Sequence, residues 1–382
     1  MNAGRDVFIL SNSTDELGGV TVWTHQMARL FRSNGHRVHV IGIHEAEPGQ
    51  SLPVPADYPV TALYPAHPPT PWVPRTLRDR CDPAARRREA GRAAAKRRAV
   101  TRLTGLFRTA RPGAVLIVTQ VWAMEWVREA DTCGMTVIGM SHESYAYSRA
   151  CHRYRWIRNN YASVDRWLVL TQEDADTWIG DGMNNVGSMP NALPRLPEVP
   201  SPRTERVVAS IGRFSDQKGI DLLLETWAQV APQRPDWLLR LYGAGEDERD
   251  LRAQCTSLGL NGSVQWMGRT GDVAGALAGS SVFVQSSRGE GFPLALMEAM
   301  ASAVPCAAFD CAPGVREIVR DGEDGLLAPA GDTEALAGRL LRLTGNPRLR
   351  DRMGERARVN VQRFAEPEVL DRWEELFALL ER

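Results

Sequence analysis

Residues 286–301 read SSRGEGFPLALMEAMA, and this stretch decides how the rest of the chain is interpreted. It follows a short apolar run at 281–285, whose brevity and β-branched content predict a buried strand. Gly289 and Gly291 then interrupt the pattern, and Pro293 suits the first turn of a helix. Apolar residues recur at helical spacing after it. The stretch therefore predicts a strand, a glycine-containing loop and a helix in succession.

Two glutamates belong to this unit, with Glu290 in the predicted loop and Glu298 in the predicted helix. A loop that leaves a parallel strand and opens a helix offers free N–H groups and the positive end of the helix dipole, which suit a phosphate or a sugar hydroxyl. Carboxylates beside such a site are poor partners for phosphate but good acceptors for sugar and ribose hydroxyls. The alternative is structural: Glu290 would cap the helix, and Glu298 would be a solvated helix residue.

The composition is that of a globular chain with two domains. A chain of 382 residues exceeds the size of one ordinary core, so two domains are the default expectation. The formal net charge is zero, which gives no indication of nucleic-acid binding. No segment approaches the roughly 20 apolar residues of a membrane span, and the N-terminus lacks the pattern of a signal peptide. The six cysteines are scattered, as expected for buried thiols in a reducing compartment. We therefore expect a cytoplasmic protein.

Candidate site residues also follow two predicted strands in the N-terminal half. Gly18 and Gly19 come between the first strand and a predicted helix at 20–31. A glycine pair lets the backbone approach a ligand closely, although an ordinary turn explains it as well. His142 follows a predicted strand at 136–140. Open α/β sheets bind ligands at the carboxyl ends of their strands, so His142 is a candidate, with a structural histidine as the alternative.

Prolines and small or charged residues concentrate at 192–205, and we place a linker between two domains there. The alternation of strand and helix restarts after it. We expect an N-terminal Rossmann-like domain at 1–191, a C-terminal Rossmann-like domain at 206–364, and a terminal helix at 365–382 that could pack back on the N-terminal domain. The predicted fold is α/β, with two doubly wound parallel sheets facing each other across a cleft.

Two cations follow the first strand of the second half. Arg213 and Lys218 come after the predicted strand 207–211, much as Glu290 follows a later strand. An arginine fork and a lysine ammonium are suited to binding a diphosphate. Carboxylates beside them would hold the hydroxyls of the attached groups. A diphosphate with a ribose and a sugar describes a nucleotide sugar.

This combination resembles the retaining GT-B glycosyltransferases of family 4, the glycosyl transferases group 1. The motifs that carry the resemblance are Gly212-Arg213, Lys218-Gly219, the spacing from Glu290 to Glu298 and, more loosely, Gly18-Gly19 and His142. The fold that the resemblance implies is GT-B over nearly the whole chain, with an acceptor-binding N-terminal domain at 1–191 and a nucleotide-sugar-binding C-terminal domain at 206–364.

The resemblance also implies roles for these residues. Arg213 and Lys218 would stabilise the departing diphosphate. Glu290 would bind a hydroxyl of the donor sugar, Glu298 would bind the ribose, and His142 would lie beside the transferred sugar. Arg213, Lys218, Glu290 and His142 are thus the catalytic candidates. The other donor-binding candidates are Gly18, Gly19, Gly212, Gly291, Phe292, Pro293 and Leu294.

The implied activity is transfer of a hexose or N-acetylhexosamine from a nucleotide diphosphate sugar, with retention of configuration, to a hydroxyl of a glycan, lipid-linked or small-molecule acceptor. Residues 309–314 look similar to those of members that use UDP sugars in surface polysaccharide synthesis, and secondary metabolism is the other setting. The resemblance implies no cofactor and no bound metal, because cationic side chains do the metal's work in GT-B enzymes. Asp174-x-Asp176 lies in a predicted helix, so we do not expect it to bind a metal. The alternatives are a nucleotide-sugar 2-epimerase of the same fold and a non-catalytic nucleotide-sugar-binding partner subunit.

The segment 75–108 carries twelve Lys and Arg residues against three acidic ones. Alanines between the cations predict a helix. A solvated helix face is one interpretation. The other is a positive surface for an anionic membrane or an anionic, lipid-linked acceptor, which would place the protein peripherally at the inner face of the membrane.

Overall fold

The computed structural model describes residues 4–47, 49, 51, 57–70, 76, 82–194 and 196–381. In the N-terminal half these residues form a parallel sheet of seven strands, which are β1 (Asp6–Ser13), β2 (Arg37–His44), β3 (Val60–Tyr64), β4 (Val115–Val118), β5 (Thr136–Met140), β6 (Arg166–Val169) and β7 (Val186–Ser188). Their order is β3-β2-β1-β4-β5-β6-β7. The helices of this half are α1 (Gly19–Ser33), α2 (Pro83–Phe107), α3 (Met124–Val127), α4 (Tyr145–Ala150), α5 (Arg153–Tyr161) and α6 (Gln172–Gly180).

The C-terminal half contains a second parallel sheet, with six strands. They are β8 (Val207–Ile211), β9 (Leu238–Tyr242), β10 (Val264–Gly268), β11 (Val282–Gln285), β12 (Cys306–Asp310) and β13 (Gly325–Pro329). Their order is β10-β9-β8-β11-β12-β13. The helices are α7 (Ile220–Val230), α8 (Glu248–Ser257), α9 (Val273–Ala278), α10 (Leu294–Ala301), α11 (Pro313–Ile318), α12 (Thr333–Thr344), α13 (Pro347–Asn360) and α14 (Glu366–Leu380).

The strand order determines where ligands can bind. The chain adds strands outward on one side of β1 and then returns to add β4 on its other side, and β8 and β11 repeat this reversal in the second sheet. Strands β4 and β11 are buried along their whole length, as expected when helices cover both faces of a parallel sheet. The crevice at the carboxyl ends of the strands, where the order reverses, is the usual ligand site of such sheets.

Helix α14 packs against α1, the first helix of the chain. The Trp373 ring lies 5.5 Å from Phe31 and 6.3 Å from Trp23, measured between ring centroids. His36 contacts the Glu374 carboxylate at 2.6 Å. Because Trp373 is fully buried, truncating it would cost about 3–5 kcal/mol of stability. The C-terminal helix therefore ties the end of the chain to the N-terminal half.

The basic segment forms α2, and its helix prediction is confirmed over Pro83–Phe107. Asp82 caps it by accepting a hydrogen bond from the Ala84 N–H at 2.8 Å. Arg75, Arg78 and Arg80 lie outside the described residues. Across the described ranges, none of the helices combines the length and the apolar character that crossing a membrane requires.

Candidate active site

Two loops of the second sheet meet because β8 and β11 are neighbours. Lys218 lies in the loop after β8, and its Nζ is 2.6 Å from Oε1 of Glu290 in the loop after β11. The Ser287 hydroxyl donates to the same oxygen at 2.6 Å. The Glu290 residue is 7 % exposed. A buried carboxylate is stable only when it is paired and hydrogen-bonded, and these two contacts supply both conditions.

Backbone packing and an ion pair hold the two loops together. Gly219 has a φ of 60°, and a Cβ there would lie 2.2 Å from the Ser286 carbonyl oxygen, so only glycine fits. Arg288 donates to both carboxylate oxygens of Asp221, at 2.8 and 2.5 Å. The Arg288 guanidinium lowers the pKa of the Asp221 carboxyl. The Gly219–Ser286 packing and the Arg288–Asp221 ion pair thus fix the position of Lys218 relative to Glu290.

Arg213 connects this loop to the other half of the molecule. Its Nη2 donates to the Leu17 carbonyl oxygen at 3.1 Å, in the segment before Gly18. Gly18 precedes the first residue of α1, and none of the described side chains caps that end of the helix. The free N–H groups of a helix N-terminus favour an anion. A cleft of about 660 Å³ lies here between the two halves and is lined in part by Gly18, Gly212 and Arg213.

His142 follows β5 and touches the glycine-containing loop of the other half. A Cβ on Gly291 would lie 2.0 Å from the His142 carbonyl oxygen, so glycine permits this approach. The imidazole packs edge-on against Trp23 at 5.0 Å. Its Nε2 is buried and has no hydrogen-bond partner among the described residues. Burial lowers the pKa of His142 to about 4, so the ring is neutral at pH 7.

Glu298 lies in the second turn of α10 and faces the same space as Glu290. Within the described part of the chain its carboxyl has neither a cation nor a hydrogen-bond donor as partner. Burial raises its pKa to about 7. A half-buried carboxyl group without a described partner is well suited to accept a hydrogen bond from a ligand hydroxyl, because such a partner replaces the lost water.

The structure brings all the predicted site residues together. A second interdomain cavity of about 470 Å³ adjoins the first through Ile211 and Gly212. Ten of the twelve candidates line it, which are Gly19, His142, Gly212, Lys218, Glu290, Gly291, Phe292, Pro293, Leu294 and Glu298. Gly18 and Arg213 line the first. The Phe292 ring packs against Phe364 at 5.1 Å, so the side chain of Phe292 serves the core.

Two buried residues of this cavity that carry a polar atom without a described partner were not predicted. Asn191 is 5 % exposed and donates to the Phe292 carbonyl at 3.2 Å, while its Oδ1 has no partner among the described residues. Gln285 is 8 % exposed, and its Nε2 is likewise unpartnered within the described chain. The available signal for Gln285 was a polar residue ending an otherwise apolar strand. Buried polar groups without partners indicate that a polar ligand belongs in the cavity.

The Asp-x-Asp sequence has structural roles. Asp174 is 3 % exposed and accepts hydrogen bonds from the Tyr145 N–H at 2.8 Å and the Thr171 hydroxyl at 2.9 Å. Asp176 accepts from Gln172 at 2.7 Å. Over the part of the chain that the structure describes, no three His, Cys, Asp or Glu side chains are grouped to hold a metal ion.

Comparison with known proteins shows which family and which relatives this chain is similar to. The family described as glycosyl transferases group 1 matches residues 196–360. An uncharacterized glycosyltransferase of Haemophilus influenzae is 30% identical over 236 residues, which cover 60% of this chain and 67% of that protein. An exopolysaccharide phosphotransferase of Streptomyces coelicolor is 35% identical over 223 residues, 57% of this chain, but this match spans only 24% of that protein's length.

The fold is also found among solved structures. The pneumococcal O-GlcNAc transferase GtfA, solved with UDP and GlcNAc, superposes with a TM-score of 0.77 at 15% identity, covering 98% of this chain and 99% of that chain. Identity this low supports a shared architecture and nothing finer. The predicted α/β fold with two Rossmann-like domains in the GT-B arrangement is therefore confirmed.

Proposed function

The chain belongs to the glycosyl transferases group 1 family, and from that premise we propose that it is a retaining, metal-independent glycosyltransferase. It would move a hexose or N-acetylhexosamine from a nucleotide diphosphate sugar, with UDP favoured, to an acceptor hydroxyl in surface polysaccharide or secondary-metabolite synthesis. One observation carries the proposal: two cations after β8 and two carboxylates after β11 line two adjoining cavities between the halves.

In the proposed reaction the acceptor oxygen forms a bond to the anomeric carbon of the donor sugar. The bond between that carbon and the phosphate oxygen breaks, and its electron pair leaves with the nucleoside diphosphate. The acceptor proton passes to a phosphate oxygen. Arg213 and Lys218 stabilise the negative charge that develops on the diphosphate, which is the largest contribution expected in such a site.

The carboxylates have binding roles in this proposal. Glu290 Oε1 already accepts from Lys218 and Ser287, and both contacts lower its nucleophilicity. We therefore assign Glu290 to a hydroxyl of the donor sugar and Glu298 to the ribose. A neutral His142 would contact the transferred sugar without adding a positive charge. These assignments favour front-face displacement over a covalent glycosyl-enzyme.

The experiment that tests the proposal is a thermal-shift and nucleotide-release screen with UDP, GDP and ADP sugars in the absence of added metal. We expect one UDP sugar to stabilise the protein and to release UDP slowly, and an acceptor to accelerate the release. Conversion of the donor to its 2-epimer, with no dependence on acceptor, would instead identify an epimerase. Binding without any turnover would indicate a non-catalytic subunit.

We also propose that α2 contacts an anionic membrane surface at the cytoplasmic face. Its buried side is apolar, and Arg87, Arg97 and Arg98 are exposed on the other side. Arg87 and Arg98 are eleven residues apart, about three helical turns, so they lie on one stripe. Charge reversal of Arg87 and Arg98 should weaken flotation with anionic liposomes and leave neutral liposomes unaffected. Equal flotation of variant and wild type would indicate that α2 is a solvated helix without membrane contact.

A further inference from the structure

A smaller cavity of about 160 Å³ lies beside the proposed donor site, entirely within the N-terminal half. It is formed at the carboxyl ends of β1, β4 and β5, with α5 closing one side. It shares three residues with the donor cavity, Val20, His142 and Glu143. A molecule in this cavity would therefore have direct access to the region beside His142.

Two buried polar atoms on the floor of the cavity have no hydrogen-bond partner among the described residues. Asn12 Oδ1 is buried and accepts nothing from the described residues. The Asn12 N–H donates to Gln120 Oε1 at 3.0 Å, which orients the Gln120 amide and leaves its NH₂ group as a donor. His142 Nε2, like Asn12 Oδ1, is a buried atom with no partner among the described residues, whereas Gln120 is half-buried. Buried polar atoms of this kind require a partner, and an acceptor, a donor and a neutral imidazole together match the hydroxyl groups of a polyol.

Two tryptophans form the walls. The Trp122 indole is held in place by His67, which stacks on it at 5.1 Å, and by Trp126, whose ring meets it edge-on at 4.8 Å. Trp156 on α5 is 37% exposed and packs edge-on against His152 at 5.5 Å. Aromatic rings offer a flat apolar face, and Trp fixed by neighbours does so at little entropic cost. The C–H faces of a pyranose ring fit such walls.

The charges at the mouth compensate each other. Arg153 and Glu143 form an ion pair between α5 and the segment after β5. The cation is thus already neutralised, which disfavours a phosphate or a uronic acid as the occupant. The polar floor and the small volume disfavour a lipid chain, which needs an extended apolar channel. A neutral ring with several hydroxyls meets all of these conditions.

We propose that this cavity binds a neutral pyranose ring, the terminal sugar of the acceptor, with Trp122 and Trp156 as its walls and Asn12 and Gln120 as its hydrogen-bonding floor. The inference rests on the proposed function and adds the chemical class of the acceptor. One hydroxyl of the bound ring reaches past His142 to the donor's anomeric carbon. Its oxygen forms the new bond, the phosphate oxygen departs with the electron pair, and the hydroxyl proton goes to the phosphate.

The test uses the full chain, the UDP sugar selected by the release screen and a panel of simple acceptors. The panel contains methyl pyranosides of glucose, galactose, mannose and N-acetylglucosamine, with glycerol and sorbitol as open-chain polyols and methyl glucuronide as the anionic ring. We expect at least one neutral pyranoside to accelerate UDP release with saturation. Equal or greater acceleration by the open-chain polyols or by the glucuronide would overturn the proposal, as would no acceleration while the donor is slowly hydrolysed.

Variants then locate the effect in the cavity. Trp156→Ala and Asn12→Ala should each raise the KM for the pyranoside about fivefold or more, with a much smaller change in the donor KM. Arg155→Ala is the matched control, because Arg155 is exposed on the same helix and does not line the cavity. A pyranoside KM that stays at the wild-type value in both cavity variants would contradict the assignment. Failure of the proposed function is distinguishable, since the release screen would then show no binding of any nucleotide sugar, binding without turnover, or epimerisation that does not depend on acceptor.

Discussion

The Glu298 carboxyl makes the stability of this protein depend on pH in a calculable way. Burial raises its pKa from the ordinary 4.5 to about 7, and no described residue offsets that burial with a charge or a hydrogen bond. Because the pKa is higher in the folded state than in the unfolded state, the folded state binds the proton more tightly. The group therefore has no effect below about pH 4.5 and lowers stability progressively as the pH rises through about 7.

The size of the effect follows from the shift. At about 1.36 kcal/mol per pKa unit, full ionisation of Glu298 costs about 3 kcal/mol of folding free energy. Glu298→Gln keeps the shape and removes the ionisation, so it should stabilise the protein above neutral pH. With about 2–4 °C per kcal/mol for a domain of this size, the upper limit is a rise of about 6–12 °C in Tm.

The assay is a series of thermal unfolding scans from about pH 5 to about pH 8.5 without ligand, the range in which the carboxyl loses its proton. We expect the difference in Tm between Glu298→Gln and wild type to be small at the acid end and to grow toward the alkaline end. Glu355→Gln is the control, because Glu355 is exposed on α13. A difference that stays constant across this range would refute the reasoning, because it would mean that ionisation of Glu298 carries no cost.

Three further perturbations have defined outcomes. Lys218→Ala should reduce kcat about 10²–10³-fold, as loss of a charge-stabilising group does in other enzymes. It should also lower Tm, because the Ser287 hydroxyl is then the one described side chain that still hydrogen-bonds to Glu290. Near-wild-type turnover would remove Lys218 from the mechanism. Gly291→Ala places a Cβ 2.0 Å from the His142 carbonyl oxygen and should abolish transfer, whereas Gly289→Ala, with its nearest neighbour at 4.0 Å, should retain it; equal kinetics for the two variants would argue against the tight approach. Since the pKa of His142 is lowered to about 4, its ring signals in NMR spectra should not titrate between about pH 5.5 and 8, and a midpoint inside that range would contradict its burial.

The sequence was sufficient for the parts of the site that depend on local structure. A strand, a glycine-containing loop and a helix in succession place the loop at the carboxyl edge of a parallel sheet, whatever the rest of the chain does. Glu290 and Lys218 could be predicted in this way, and the adjacency of β8 and β11 brings them together. The basic helix α2 was predictable for a similar reason, because alanine and arginine both favour helix within one segment.

The contacts between the two halves could not be read from the sequence. Arg213 reaches Leu17 across 196 positions, and Asn191 reaches Phe292 across 101. No local pattern encodes such pairs, since they depend on how two separately folded sheets face each other. The Gln285 amide and Asn12 Oδ1, which have no partners among the described residues, could not be predicted for the same reason. A polar group is recognisable as unsatisfied only after its surroundings are known.

The positions of Glu290 and Glu298 depend both on local structure and on contacts that only the folded chain makes. Eight positions would place two side chains about 80° apart around a continuous helix, but here α10 begins only at Leu294. Glu290 therefore belongs to the loop, where Lys218 and Ser287 hold it. Glu298 projects from the helix into the same cavity and has no partner among the described residues. One carboxylate is fixed before a ligand arrives, and the other is buried at a cost that a hydrogen-bond donor from the ligand would offset. The contacts of Glu290 thus keep the loop rigid, whereas the electrostatic energy of Glu298 changes when a ligand binds.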